Sequence, residues 1–113
     1  KSNCKIIAVE PSSSMILSKG IKGSHNVEGV GLGFVPNIYD EKLVDNVISI
    51  DESVARQTCK DLAKKEGIFC GTSSGMNVAA AIQISKELGP KSKVVTIACD
   101  SGLKYLSEGL FDD

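Results

Sequence analysis

Residues 66–81 read EGIFCGTSSGMNVAAA, and the fold class follows from how that run changes character. Ile68–Cys70 is a short apolar piece of strand type. Gly71-Thr72-Ser73-Ser74-Gly75 is a turn of small residues, and from Met76 onward apolar residues recur at helical spacing. A strand that turns straight into a helix is half of a βαβ unit, so a further parallel strand is expected beyond the helix. KVVTIAC, Lys93–Cys99, supplies it: the run is β-branched and apolar and predicts the clearest buried strand of the chain. The helix between carries Val78, Ala79, Ala81, Ile82 and Leu88 and stops at Gly89-Pro90.

Upstream the pattern repeats. VDNVISI, Val44–Ile50, predicts a strand, after which Asp51 is placed as an N-cap with Glu52 in the first turn. Ala55, Cys59, Leu62 and Ala63 give the buried helix face, Lys64 and Lys65 suit its last turn, and Gly67 is the expected stop. CKIIAVE, Cys4–Glu10, closed by Pro11, predicts the first strand. Residues 11–39 lack a period and hold Gly20, Gly23, Gly29, Gly31 and Gly33, five of the 11 glycines. A long glycine-rich stretch inside a compact chain points to function. The order predicts an α/β fold with an open, mostly parallel sheet and flanking helices. Ligands bind such sheets beyond the carboxyl ends of the strands. That places the glycine-rich loop after Glu10, the 71–75 turn and Asp100-Ser101-Gly102 around one candidate site.

Composition narrows the chemistry. The chain has 113 residues, 11.9 kDa, which is the size of one compact domain. Hydrophobic residues at 42% allow a buried core. Thirteen Lys+Arg stand against 14 Asp+Glu, net −1, so no excess of cations is present for nucleic acid or an anionic membrane. Aromatics at 4% disfavour base-stacking platforms. No apolar run reaches the roughly 18 residues of a membrane helix, and KSNCK does not read as a signal peptide. Cys4, Cys59, Cys70 and Cys99 form no C-x-x-C pair, and His25 is the sole histidine, so a zinc site has no support. Reduced, buried cysteines in a cytoplasmic protein are the expectation.

The 71–75 turn matches G-x-S-x-G, which in hydrolases presents a nucleophilic serine. That chemistry needs a base, and His25 lies before the serine rather than after it, so the hydrolase reading is weak. The same turn, as a helix N-terminus with hydroxyls, can also receive a planar or anionic ligand. On spacing alone, a plain N-cap by Ser73 or Ser74 is favoured. Gly29-Val30-Gly31-Leu32-Gly33 is not the dinucleotide fingerprint; it reads as a flexible loop or a place of close backbone approach.

Four stretches in this order carry a resemblance: IIAVEP (6–11), GSHNVEGVGLGFVP (23–36), EGIFCGTSSGMNVAAA (66–81) and VVTIACDSGLKYLS (94–107). Together they resemble the C-terminal part of the O-acetylserine sulfhydrylase (cysteine synthase) family, pyridoxal-phosphate enzymes of fold type II, with cystathionine β-synthase as a near relative. The resemblance implies cysteine biosynthesis by β-replacement, in which the acetoxy group of O-acetylserine is exchanged for sulfide. It places Ser73 at the pyridine nitrogen of the cofactor, flanked by Thr72 and by Ser74 as a helix cap. A neutral serine there makes the ring a milder electron sink than an aspartate would. Asp100 falls near the pyridine edge and Gly29 on the substrate-side loop. Gly23, Ser24 and His25 fall on the lip of the entrance, where the family receives a serine acetyltransferase tail. A homodimer is also implied.

The family's Schiff-base lysine, its substrate-carboxylate loop and its phosphate loop lie upstream of the matched segment; Lys19 and Lys22 belong to the glycine-rich loop. Residues 1–113 are therefore expected to form the C-terminal portion of the catalytic domain and to be inactive alone. Glu28 in VEGVG also occurs in cystathionine β-synthase-like sequences, which join serine to homocysteine, whereas an end soon after LFDD, with no regulatory extension, favours the sulfhydrylase. A non-catalytic partner-docking module is the remaining alternative.

Overall fold

The structure is a computed structural model that describes residues 3–112; Lys1 and Ser2 of the KSNCK start and the final Asp113 lie outside it. Strand β1 (Ile7–Pro11) and strand β2 (Asn46–Ile50) pair in parallel, Ile7 opposite Asn46 and Pro11 opposite Ile50. Proline is tolerated at this strand end because the next donor, Ser12 N–H, reaches Ile50 O at 3.0 Å. Between the strands lies a short helix, α1 (Ile16–Lys19), which no sequence period announces. Its leading amides are satisfied from outside: the Glu10 carboxylate accepts from Leu17 N–H at 2.9 Å and Ser18 N–H at 3.0 Å.

Helix α2 (Glu52–Asp61) begins at Asp51 as expected and runs into a π-helical turn at Leu62–Glu66. Asp51 does not cap it through its side chain, which instead accepts from the Ser12 hydroxyl and ties α2 to the end of β1. Gly67, left-handed at φ 67°, ends the turn with its N–H on Leu62 O. Helix α3 (Thr72–Leu88) packs along α2. The crossing is close at Gly75, where a Cβ would lie 2.3 Å from Ala55 O and 2.5 Å from Cys59 Sγ. A 3₁₀ helix (Gly102–Glu108) follows.

Two cores result. Val27, Ile48, Ile50, Ala55, Met76 and Ala80 fill the space between the sheet and the α2–α3 pair, and Cys59, Cys70, Tyr105 and Leu110 form a second cluster at its edge. Four expectations are corrected. Ile68–Cys70 makes no strand, only an antiparallel bridge from Cys70 to Ser101. Lys93–Cys99 joins no ladder and is not buried: Val95 is 91% and Ile97 68% exposed. A strand is buried by its neighbours, and no described strand lies beside this one. Ile82 and Leu88 of α3 are exposed, because the sheet covers the Met76–Ala80 side of the helix. The cysteines are all free, but only Cys59 and Cys70 are buried; Cys4 and Cys99 are exposed. No helix among the described residues is long and apolar enough to cross a membrane.

Candidate functional site

The turn after Cys70 is built by packing before it is built by chemistry. Gly71 must be glycine: a Cβ would fall 2.2 Å from the Tyr105 ring and 2.5 Å from an Asp100 carboxylate oxygen. Thr72, Ser73 and Ser74 then enter α3 buried, at 1%, 5% and 0% exposure. Ser74 does not cap the helix, and α3 has no side-chain cap at all. Its hydroxyl instead accepts from Cys99 N–H at 2.8 Å and donates to Asp100 Oδ1 at 3.2 Å. Ser74 thereby fastens residues 99–100, which no strand pairing holds, to the first turn of α3.

Asp100 is the centre of this region. Oδ1 accepts from Gly71 N–H at 3.2 Å as well as from Ser74, and Oδ2 accepts from the Tyr105 hydroxyl at 2.6 Å. The carboxylate is therefore occupied by protein donors. Burial pushes the Tyr105 phenol well above its ordinary value, and its hydrogen bond to the Asp100 carboxylate pushes the same way. Tyr105 lies too far along a run without period for the sequence to have marked it. Its only signal is a tyrosine five residues after an aspartate that follows a presumed strand.

Cys59 and Cys70 lie beneath the turn. Cys59 donates from Sγ to Gly71 O at 3.0 Å, and burial raises its thiol to about 12. Burial raises Cys70 as well. Both stay as neutral thiols, inert as nucleophiles at physiological pH.

One buried hydroxyl stands out: Thr72 Oγ1 is buried with no hydrogen-bond partner, and Ser73 beside it is 5% exposed. A buried polar atom left unpaired costs about 1–3 kcal/mol, so the Thr72 hydroxyl at the head of α3 calls for a partner outside the described residues. The donor set suits a planar heteroaromatic ring: neutral hydroxyls and small residues at a helix N-terminus.

The glycine-rich loop is pinned beside this turn. His25 Nε2 donates to Gly31 O at 2.9 Å while Nδ1 accepts from Val27 N–H at 3.1 Å. With both ring nitrogens engaged inside its own loop, His25 is no base for a serine, and the hydrolase reading falls. Gly23, at the start of the lip, gives its N–H to Ser14 Oγ, and a Cβ there would meet Ser13 O at 1.7 Å. Ser24 is exposed beside it. Gly29, at φ 82°, has open space where a Cβ would sit. Glu28 meets Lys104 Nζ at 3.0 Å and lies 3.5 Å from the Tyr105 hydroxyl, so the loop reaches the Asp100 region from the other side.

Comparison with known proteins settles the family. A profile described as pyridoxal-phosphate dependent enzyme matches residues 1–100. The chain belongs to the pyridoxal-phosphate dependent enzyme family. Within that family it is 42% identical to cysteine synthase of Staphylococcus aureus over 98% of this chain and 36% of the relative. Among solved structures it is similar to cysteine synthase of Entamoeba histolytica (TM-score 0.91, 36% identity, 100% of this chain and 34% of that one). It is also similar to an O-acetylserine dependent cystathionine β-synthase of Helicobacter pylori (TM-score 0.87, 36% identity, 95% and 35%). The α/β architecture with a parallel sheet and flanking helices is that of these fold type II pyridoxal-phosphate enzymes. The chain spans about a third of the length of the relatives it matches.

Proposed function

We propose that residues 1–113 are the C-terminal portion of a cysteine synthase catalytic domain and supply its cofactor-ring and substrate-loop walls. The reaction is β-replacement: O-acetylserine and sulfide give cysteine and acetate. The observation that carries the reading is the buried, unpartnered Thr72 hydroxyl beside Ser73 at the head of α3 in a member of this family.

Pyridoxal phosphate supplies, when bound, a conjugated ring that takes up the electrons freed at the amino-acid substrate. Ser73 would hold the pyridine nitrogen by a neutral hydrogen bond. A hydroxyl cannot fix a proton on that nitrogen as a carboxylate does, so the ring is held as the milder electron sink that elimination and replacement need. Thr72 would complete its own hydrogen bonding against the same group. Gly29 keeps the substrate side of the loop free of side-chain bulk, which its open surroundings support. Asp100, with its oxygens already taken by Gly71, Ser74 and Tyr105, serves the ring through the turn it holds. The family's cofactor-binding lysine and phosphate loop would belong to the two-thirds of the family's length that this chain does not span.

The same reading places the enzyme in the cytoplasm as a homodimer, with Gly23, Ser24 and His25 on the entrance lip that takes a serine acetyltransferase tail. The test is an assay of the polypeptide that carries this segment. Cysteine from O-acetylserine plus sulfide is expected to exceed cystathionine from serine plus homocysteine; turnover of neither pair overturns the reading. Ser73→Asp should leave the fold intact and cut turnover about 10²-fold or more, the size of effect a displaced proton has in acid–base catalysis. Unchanged turnover would remove Ser73 from the ring.

A further inference from the structure

The Tyr105 hydroxyl has one proton and two carboxylates within reach, Asp100 Oδ2 at 2.6 Å and Glu28 Oε2 at 3.5 Å. The distances show where the proton goes. Lys104 sits on Glu28 Oε1 at 3.0 Å and balances that charge, whereas Asp100 relies on uncharged donors: Gly71 N–H, Ser74 Oγ–H and the phenol. The three donors fix both oxygens of Asp100, and Asp100 in turn fixes Gly71 and Ser74, which bracket Thr72 and Ser73.

We propose that Tyr105 is a positioning residue for Ser73: its hydroxyl orients the Asp100 carboxylate, and through it the turn that carries the ring contact. The proposal rests on the reading of Ser73 as the pyridine-nitrogen donor. The phenol ring and its hydroxyl have separable parts. The ring packs over Gly71, where a Cβ would meet it at 2.2 Å. The hydroxyl proton holds Asp100 in rotameric register, so that Oδ1 faces Gly71 and Ser74 together. Without that proton the carboxylate keeps two donors on one oxygen and none on the other, and it is free to turn toward water. Glu28, on the glycine-rich loop, lies beside the same hydroxyl, so a movement of the substrate loop is felt at the Asp100 bond.

Tyr105→Phe separates the two parts, because it keeps the ring and deletes the proton. In the full 113-residue chain, amide hydrogen exchange read by NMR should quicken about tenfold at Gly71 and Cys99, the worth of roughly one hydrogen bond. The amides of Ser12 and Asp45, bonded to Ile50 O and Ile6 O in the sheet, should not change. Unchanged exchange at Gly71 and Cys99 overturns the proposal, as does an equal rise at all four sites. A second measurement needs no loss of the hydroxyl. In a Tyr39→Phe chain the absorbance of Tyr105 reports its ionisation alone, and adding Asp100→Asn should let the phenol ionise at lower pH; no movement overturns the contact. In the polypeptide loaded with pyridoxal phosphate, Ser73→Ala and Tyr105→Phe should shift the pH profile of the cofactor absorbance in the same direction, with no further shift in the double variant. A shift from Ser73→Ala alone defeats the positioning role. No shift from Ser73→Ala defeats the ring reading while the exchange result on the isolated chain stands.

Discussion

Residues 46–50 and residues 93–99 are written in nearly the same alphabet, NVISI and KVVTIAC, yet they end in opposite environments. The first is β2, paired with β1 and covered by α2 and α3, with Ile48 and Ile50 at 7% and 6% exposure. The second joins no ladder, and Val95 stands 91% exposed. What separates them is the company each keeps. β2 finds a parallel partner 39 residues away and a helix that follows it directly; Lys93–Cys99 is held only near its end, by Ser74 on Cys99 N–H and by Asn77 on Ile97 O at 3.1 Å. Apolar, β-branched sequence prescribes a strand's local shape, but burial is conferred by neighbours that the run itself does not contain.

The contrast is broken first at Ile48. Ile48→Ala removes a buried side chain from the main core and should cost about 2–5 kcal/mol in urea unfolding; a cost below ~1 kcal/mol would mean that the sheet face is not the core. Alkali tests the second cluster, at the edge of the core that covers β2, next. Cys59, beneath the 71–75 turn, is raised from 9.0 to about 12 in the folded chain, so the unfolded chain ionises first. The stabilisation is complete below pH 9 and is lost as pH climbs from there toward 12, at up to about 1.4 kcal/mol per pH unit. Stability measured across that range should fall, and Cys59→Ala should flatten the fall; identical slopes would refute the assignment. The smallest effect is at Val95. Val95→Thr should change the unfolding midpoint by no more than roughly 0.5 kcal/mol, and a loss as large as that of Ile48→Ala would show that Lys93–Cys99 is covered after all.

The parts of the molecule legible in its sequence are those decided within a few residues. The Asp51 start, the Gly67 stop and the α3 helix beginning at the GTSSG turn all lie where composition and spacing place them. Thr72 and Ser73 are legible locally only as part of a turn of small residues, which on spacing alone reads as a plain cap; their place at a cofactor ring is what the family resemblance implies. Ser74 is no cap because the helix starts two residues earlier, with Gly71 at the N-cap position, which leaves the Ser74 hydroxyl inside the first turn to accept from Cys99 N–H and donate to Asp100. Tyr105 was invisible, because its meaning depends on a carboxylate in one segment and a loop glutamate 77 residues earlier. Helix α1 escaped notice because its amides are satisfied by Glu10, which belongs to the preceding strand.

That Glu10 contact has a consequence for the loop it introduces. The connection from β1 to β2 spans 34 residues, yet it is not one span of loose chain. Glu10 secures Leu17 and Ser18, Ser14 secures Gly23, Glu52 accepts from Asn26 N–H, and His25 folds the chain back on Gly31. Each tie shortens the freely jointed length that remains, and the entropy of restraining a loop grows with the logarithm of that length. Residues 14–31 therefore have much of their disorder removed by contacts within the fold itself.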